Sequence, residues 1–276
     1  MNLLQDLIGK ESELRQVGSA VRGFAQSLRA PVVGACHVTC SDETERECEE
    51  AFVRLVAAGL LPALKGGRGA PFRSVNLGAR YEWGAAGLVE EHFALPETEG
   101  AFKLLVLKIN AHAAVRQGPH GPEYGWLRRY GSDSTCCGAL KALIDGARLP
   151  AVDELAETFA AGELDRVARL RNPRIVAPEH RALLAAVVNA RLQAERAIAD
   201  ICAARPKTPT VFLVLPCVTI NRPGPDTELV VGEGEVDWIG QQPTVKYSGL
   251  GDDPASHRVR HEHGRVAVED DQWPAL

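Results

Sequence analysis

The side chains that can do chemistry in this sequence are thiols and imidazoles in a particular order. Seven cysteines stand at positions 36, 40, 48, 136, 137, 202 and 217. They are too few and too scattered for a disulfide scaffold, which leaves buried, catalytic or metal-bound roles. Cys40 follows a short apolar run, His112 follows a second one, and Cys136 and Cys137 open a helix-like stretch. Two thiolates and one imidazole form a ligand set that suits zinc. Three protein ligands leave a fourth position for water, the arrangement of a catalytic rather than a structural site. Adjacent residues on a helix point about 100° apart. One of Cys136 and Cys137 is therefore expected to face the metal and the other to pack inward. Asp42 and Arg46 lie four residues apart on the helix that Cys40 introduces, so they are expected to share one face. An Asp kept ionised by an Arg can accept a hydrogen bond from metal-bound water, and the Arg holds the carboxylate off the metal.

Strands and helices must bring these residues together. Residues 3 to 28 carry apolar side chains at helical spacing. Pro31 to Thr39 is apolar and β-branched after a proline, and predicts a buried strand ending at Cys40. Ser41 or Asp42 can cap a helix running to about Leu64, with acids in its first turn to suit the helix dipole. Glycine-rich Lys65 to Ala79 reads as loop. Lys103 to Asn110 predicts a second strand, with His112 just past its end. Arg116 to Asp133 reads as a long loop, and Cys136 to Asp145 as a helix capped from Ser132–Thr135. Helices over Val152 to Arg171 and Pro178 to Ala204 precede a third strand, Pro209 to Ile220. The tail from Arg222 holds short strand-like pieces such as Leu229–Val231. This order predicts one α/β domain over residues 1–276, with a parallel or mixed central sheet flanked by helices. Its parts are N-terminal helices (1–29), a core carrying the site (30–150), and further helices, strands and tail (151–276). Ligands of such sheets bind beyond the carboxyl ends of the strands, where Cys40 and His112 are expected to lie.

Composition narrows the function classes. The 276 residues include 31 Lys and Arg against 36 Asp and Glu, a net charge of −5, with 45% apolar residues. That balance argues against a general nucleic-acid binder. No apolar run approaches the roughly 18 residues of a membrane span, and Met1 to Arg29 lacks a signal-peptide pattern. A cytoplasmic protein is expected. Gly66–Gly69 lacks the Lys-Ser/Thr of a phosphate-binding loop and reads as a turn. Tyr124 to Tyr130 mixes aromatics with two Arg and reads as a lid or a dimer contact. His261 and His263 read as solvated tail residues. Cys36 is expected in the core, on the same strand face as Cys40, and Cys48, Cys202 and Cys217 as inert core residues.

These motifs resemble those of a known family. Cys40-Ser-Asp42 and Cys137-Gly-Ala resemble segments of β-class carbonic anhydrases, and the second favours Cys137 as the metal-facing cysteine. In the β class the ligand His lies three residues before that cysteine, and an Arg stands two residues after the Asp. Here His112 is far upstream and Thr44 holds that place. Both departures are similar to the limiting-CO2-inducible protein B/C family, the θ-class carbonic anhydrases. Cys40-Ser-Asp-Glu-Thr-Glu-Arg46, Asn110-Ala-His112-Ala-Ala-Val115 and Thr135-Cys-Cys-Gly138 resemble its segments, and Ala70-Pro-Phe72 resembles one more distantly. The resemblance covers about residues 30 to 150. It implies a β-carbonic-anhydrase-like fold, a homodimer, and a zinc site of Cys40, His112 and one of Cys136 and Cys137, with Asp42 and Arg46 as catalytic residues. The implied activity is reversible hydration of CO2 to bicarbonate by zinc-bound hydroxide, best at mildly alkaline pH because thiolates donate charge to zinc. His120 and His92 are the candidate proton shuttles.

Two other readings stay open. One is a catalytically silent zinc protein that binds bicarbonate or a partner in CO2 handling. The other is a metal-free cysteine enzyme pairing Cys136 or Cys137 with His112, since a thiol at a helix N-terminus has a lowered pKa.

Overall fold

The apolar, β-branched runs form the centre of a layered α/β structure. The computed structural model describes residues 4–30, 32–59, 71–82, 84, 87, 92, 95, 99–129, 131–146, 150–157, 161–174, 176–250, 257–262 and 264–270. A short strand β1 (Glu11–Glu13) leads into helix α1 (Leu14–Leu28), and strand β2 (Val32–Cys40) follows. A 3-10 turn (Glu43–Glu45) and helix α2 (Arg46–Gly59) lead to β3 (Phe72–Asn76). The long strand β4 (Lys103–Gly118) is followed by β5 (Gly121–Tyr124), β6 (Trp126–Arg129) and β7 (Ser132–Thr135). Four helices come next: α3 (Gly138–Asp145), α4 (Pro150–Ala156), α5 (Ala161–Arg169) and α6 (Arg181–Ala204). Strands β8 (Thr210–Asn221), β9 (Thr227–Val230), β10 (Gly232–Asp237), β11 (Thr244–Gly249), β12 (His257–Glu262) and β13 (Arg265–Asp270) are the last described elements.

Nine strands form one mixed sheet among the described residues. Its centre is parallel, in the order β3-β2-β4-β8. Antiparallel strands extend it: β9 and β10 both pair with β8, β1 with β9, β11 with β10, and β5 with β4. From β2 the chain moves outward to β3, then crosses back to β4 on the other side of β2. The crevice of such a sheet opens at that reversal, between β2 and β4. Helices α1 and α2 cover one face, against Ala35, Leu104, Val106, Leu213 and Leu215. Helix α6 covers the other, and its residues from Ala182 to Ala190 are all buried. A helix apolar around its whole girth belongs in a core. No described helix is long and apolar enough to cross a membrane.

Several expectations change. His112 lies inside β4, not beyond it, because pairing with β8 continues to Ala114 opposite Asn221. The small alanines at 111, 113 and 114 keep that stretch wholly buried. The loop expected over Arg116 to Asp133 is instead the end of β4 with strands β5 and β6 and the start of β7. The Tyr124–Tyr130 segment accordingly contributes to two strands, with Tyr124 buried. Part of the loop expected at Lys65 to Ala79 is the edge strand β3, whose alternating half-exposed side chains hide its period. The helix expected over Val152 to Arg171 is divided into α4 and α5, and the N-terminal segment contains β1 as well as α1. Gly66–Gly69, Ala70, Tyr130 and His263 lie outside the described residues.

Along β4, Lys108, Asn110 and His112 alternate onto the face covered by α2. Lys108 forms a buried ion pair with Glu228 of β9, and its Nζ donates to Cys48 Sγ of α2 at 3.2 Å. It also lies 5.2 Å from the centre of the Phe52 ring. Cys48 is fully buried, as expected of a core cysteine, and also serves as a partner of the buried ammonium. This pair ties α2 and β9 to the central strand. Lys108→Met should lower the unfolding free energy by about 3–5 kcal/mol, because it leaves Glu228 buried without its counter-charge. Adding Glu228→Leu should recover most of that loss. Urea unfolding of the single and double variants checks this, and equal losses in both would contradict it.

Candidate metal centre

The site is built where β2 stops and β4 goes on. Cys40 is the last residue of β2, and His112 lies two residues beyond Asn110, which pairs with Thr39. The third corner comes from the turn between β7 and α3. There Cys137 is the N-cap of α3, with extended backbone, and Cys136 precedes it through a cis peptide bond. The expected helix therefore begins one residue after the cysteine pair, at Gly138.

Ligand atoms of Cys40, His112 and Cys137 all lie within 4.8 Å of one another, and all three residues are buried. The sulfurs of Cys40 and Cys137 are 3.8 Å apart. Two sulfurs bound to one tetrahedral zinc at about 2.3 Å stand about 3.8 Å from each other. His112 Nδ1 lies 3.0 Å from Asn221 Oδ1, 3.3 Å from Thr44 Oγ1 and 3.4 Å from Cys136 Sγ. His112 Nε2 is buried and has no hydrogen-bond partner. A buried ring nitrogen without a partner, on a histidine grouped with two sulfurs, is an arrangement that could hold a metal. The cysteine pair is divided accordingly. Cys137 turns its sulfur to Cys40, while Cys136 packs its sulfur against the opposite ring nitrogen of His112.

The electrostatics point the same way. The Cys40 thiol is pushed down to about 4, chiefly by its hydrogen bond with Cys137, against burial, and with help from His112 and the Gly78 N–H. Cys137 is pushed up by that same bond to Cys40 and by burial. Burial opposes a charge on His112, but Cys137 and Glu45 outweigh it and raise its pKa well above the ordinary value. The pocket thus concentrates negative charge and draws a positive one. Gly78 donates its backbone N–H to Cys40 Sγ at 3.3 Å. Its φ is +76°, and a Cβ there would come within 2.8 Å of Leu155. Only glycine brings that N–H to the sulfur without strain.

The expected Asp42–Arg46 pair takes another form. Asp42 caps the 3-10 turn, its Oδ1 accepting from the Thr44 N–H at 3.2 Å and from Thr44 Oγ1 at 3.1 Å. Arg46 is 82% exposed and pairs with Glu50 at 2.9 Å. The four-residue spacing puts two side chains on one face only within a helix. Asp42 precedes α2, and Arg46 is its first residue. The Asp42 carboxylate still lies within 4.8 Å of ligand atoms of His112 and Cys136. A cleft of about 520 Å³ reaches Cys40 and Asp42 and is also lined by Thr39, Arg46, Val53 and Val75. Neither candidate shuttle lines it: His120 sits in the turn between β4 and β5, and His92 packs against Phe72 at 4.8 Å. Cys36 points into the core under α6, its thiol pushed up to about 12 by burial.

Three polar residues around the site escaped the motif reading. Glu45 is buried, and its Oε2 accepts from Thr39 and Asn110. Burial raises its pKa to about 7, against the nearby His112. Thr44 joins Asp42 to His112, and Asn221 at the end of β8 meets His112. Asn221 is about 110 residues from His112 in sequence, and only the parallel register of β4 with β8 reveals the contact.

This division of roles separates two neighbouring cysteines by experiment. Zinc content measured by mass spectrometry should fall to near background in Cys40→Ser, Cys137→Ser and His112→Ala. Cys136→Ser should keep about one zinc per chain. Loss in Cys136→Ser with retention in Cys137→Ser would reverse the assignment.

With this geometry in place, comparison with known proteins is informative. No protein-family model and no curated protein sequence matches the chain. Solved structures do. PtLCIB4, a homolog of the limiting CO2-inducible protein LCIB, superposes with a TM-score of 0.58 at 15% identity, over 90% of this chain and 98% of that one. A single-substitution variant of PtLCIB4 gives 0.52 at 16% identity, over 87% and 97%. The chain therefore has the mixed α/β fold of the LCIB homologs, in agreement with the architecture expected from its sequence motifs.

Proposed function

We propose that Cys40, His112 and Cys137 hold a zinc ion with its fourth position open to water, and that the chain uses it to hydrate CO2 reversibly to bicarbonate. The observation that carries this reading is the ligand geometry: two sulfurs 3.8 Å apart beside a buried imidazole nitrogen without a partner. The choice of CO2 draws on the fold, because the solved structures that share it are named for limiting CO2. A homodimer and a cytoplasmic location belong to the same reading. Bound zinc would supply a water whose pKa falls from about 15.7 to roughly 7.

The chain's own groups do the rest. Cys40 and Cys137 compensate the charge of the ion, and the Gly78 N–H steadies the Cys40 sulfur. Asp42 faces the cleft through which CO2 would enter and accepts a hydrogen bond from the incoming water. Thr44, through two bonds to Asp42 Oδ1, performs the holding role expected of Arg46. The apolar side chains of Val53 and Val75 give the cleft a wall that CO2 can wet.

One observation favours a second reading, a zinc protein without turnover: Arg46 pairs with Glu50 and so does not form the expected dyad with Asp42. The metal-free thiol enzyme is separated from these readings by zinc content, since Cys136 and Cys137 are as deeply buried as Cys40 and His112.

Stopped-flow CO2 hydration on protein of verified zinc content decides between turnover and silence. Hydration well above buffer, lost in Cys40→Ser and reduced in Asp42→Ala, is the expected result. Stoichiometric zinc with no hydration above buffer would overturn the enzymatic reading and leave the binding one.

A further inference from the structure

We infer that Asn221 is a positioning residue that fixes the ring state of His112, presenting Nε2 to the two cysteines as a metal ligand. The inference rests on the metal reading above and adds a residue that the motifs do not contain. Its basis is the set of hydrogen bonds around His112 Nδ1, where the Asn221 amide sets the direction and the Cys136 thiol, 3.4 Å from Nδ1, also has Asn221 Oδ1 as an acceptor at 3.7 Å.

Asn221 is 2% exposed and sits at the end of β8. Its Nδ2 donates to the backbone carbonyl of Thr44 at 3.0 Å and to Asp226 Oδ2 at 3.1 Å. Both partners are acceptors, so the amide cannot be flipped without setting its own oxygen against two others. Oδ1 must then face His112 Nδ1, 3.0 Å away. An oxygen there demands a proton on Nδ1. Thr44 Oγ1 gives the same answer: it donates to Asp42 Oδ1 at 3.1 Å and so turns a lone pair to His112 Nδ1 at 3.3 Å. With Nδ1 committed as a donor, Nε2 is the nitrogen left to bind metal, and it is the ring atom without a partner. Metal-ligating histidines commonly donate their second nitrogen to such an acceptor, and losing that acceptor typically costs 10–100-fold in metal affinity.

Asp226 thereby becomes part of the device. It receives the Asn221 amide and also the backbone N–H of Arg222 at 3.1 Å, which fixes the turn between β8 and β9. The ring state of His112 is set by a turn far from the cysteine motifs in sequence.

The test is zinc affinity, measured by competition with a chromophoric chelator, for the wild type, Asn221→Leu, and the double variant Asn221→Asp with Asp226→Asn. The double variant exchanges acceptor and donor between the two positions and keeps an oxygen toward His112, while giving up the bond to the Thr44 carbonyl. Asn221→Leu should weaken zinc binding by roughly 10–100-fold, and the double variant should bind zinc more tightly than Asn221→Leu. A merely structural role would lower the melting temperature of Asn221→Leu without moving its zinc affinity, and that result would overturn the proposal. In case Asn221→Leu does not fold, long-range proton–nitrogen NMR of the zinc-loaded wild type reads the ring directly. Nδ1 should carry the proton and Nε2 the metal shift, and the reverse would overturn the proposal. Wild-type protein that takes up no zinc would defeat the metal reading itself, and the proposal with it.

Discussion

Two sulfurs and an imidazole are buried within 4.8 Å of one another at the end of a strand, and their charge must be balanced. Burial penalises an isolated thiolate, yet the pocket stabilises one: it brings a backbone N–H and a second sulfur to Cys40. Within the chain, the Cys137 contact and the neighbouring His112 hold the Cys40 thiol down, while Cys137 and Glu45 hold the His112 pKa up. A divalent cation answers the same demand more completely, since it meets both sulfurs and the open ring nitrogen at once. Charge balance, more than any single motif residue, gives this arrangement its chemical meaning.

The fold meets that demand with a ladder of buried polar groups beneath α2. Lys108 pairs with Glu228, Asn110 with Glu45 and Thr219, and His112 with Asn221, at successive positions on one face of β4. Each rung joins β4 to α2, β8 or β9. Buried polar groups left unpaired cost about 1–3 kcal/mol each, so the rungs fix how α2 sits on the sheet. The 3-10 turn at the head of α2 carries Thr44 and Glu45, and its cap is Asp42. The site is therefore oriented by the same contacts that hold the layers together.

Much of this was legible in the sequence, for identifiable reasons. The strands ending near Cys40 and passing through His112 are uniform apolar runs, the mark of a parallel strand buried on both faces. The order of Cys, Asp, His and paired Cys points to a group that could hold a metal, and the fold brings Cys40, His112 and Cys137 together. What stayed hidden depends on long-range pairing. The continuation of β4 through Ala111–Gly118 rests on its register with β8, and the strands between Gly121 and Thr135 pair in hairpins within a polar, glycine-containing segment. Asn221 and Glu45 carry no local signal, since one is an amide at a strand end and the other lies in an acidic run. Arg46 failed as a partner of Asp42 because the helix begins at Arg46 itself, which places Asp42 outside the periodicity that would align them.

X-ray absorption at the zinc edge of the metal-loaded protein tests the central claim most directly. The account predicts two sulfur neighbours at about 2.3 Å, one imidazole nitrogen at about 2.0 Å and one further light atom in the open position. A shell with one or three sulfurs, or protein that takes up no zinc at all, would contradict it.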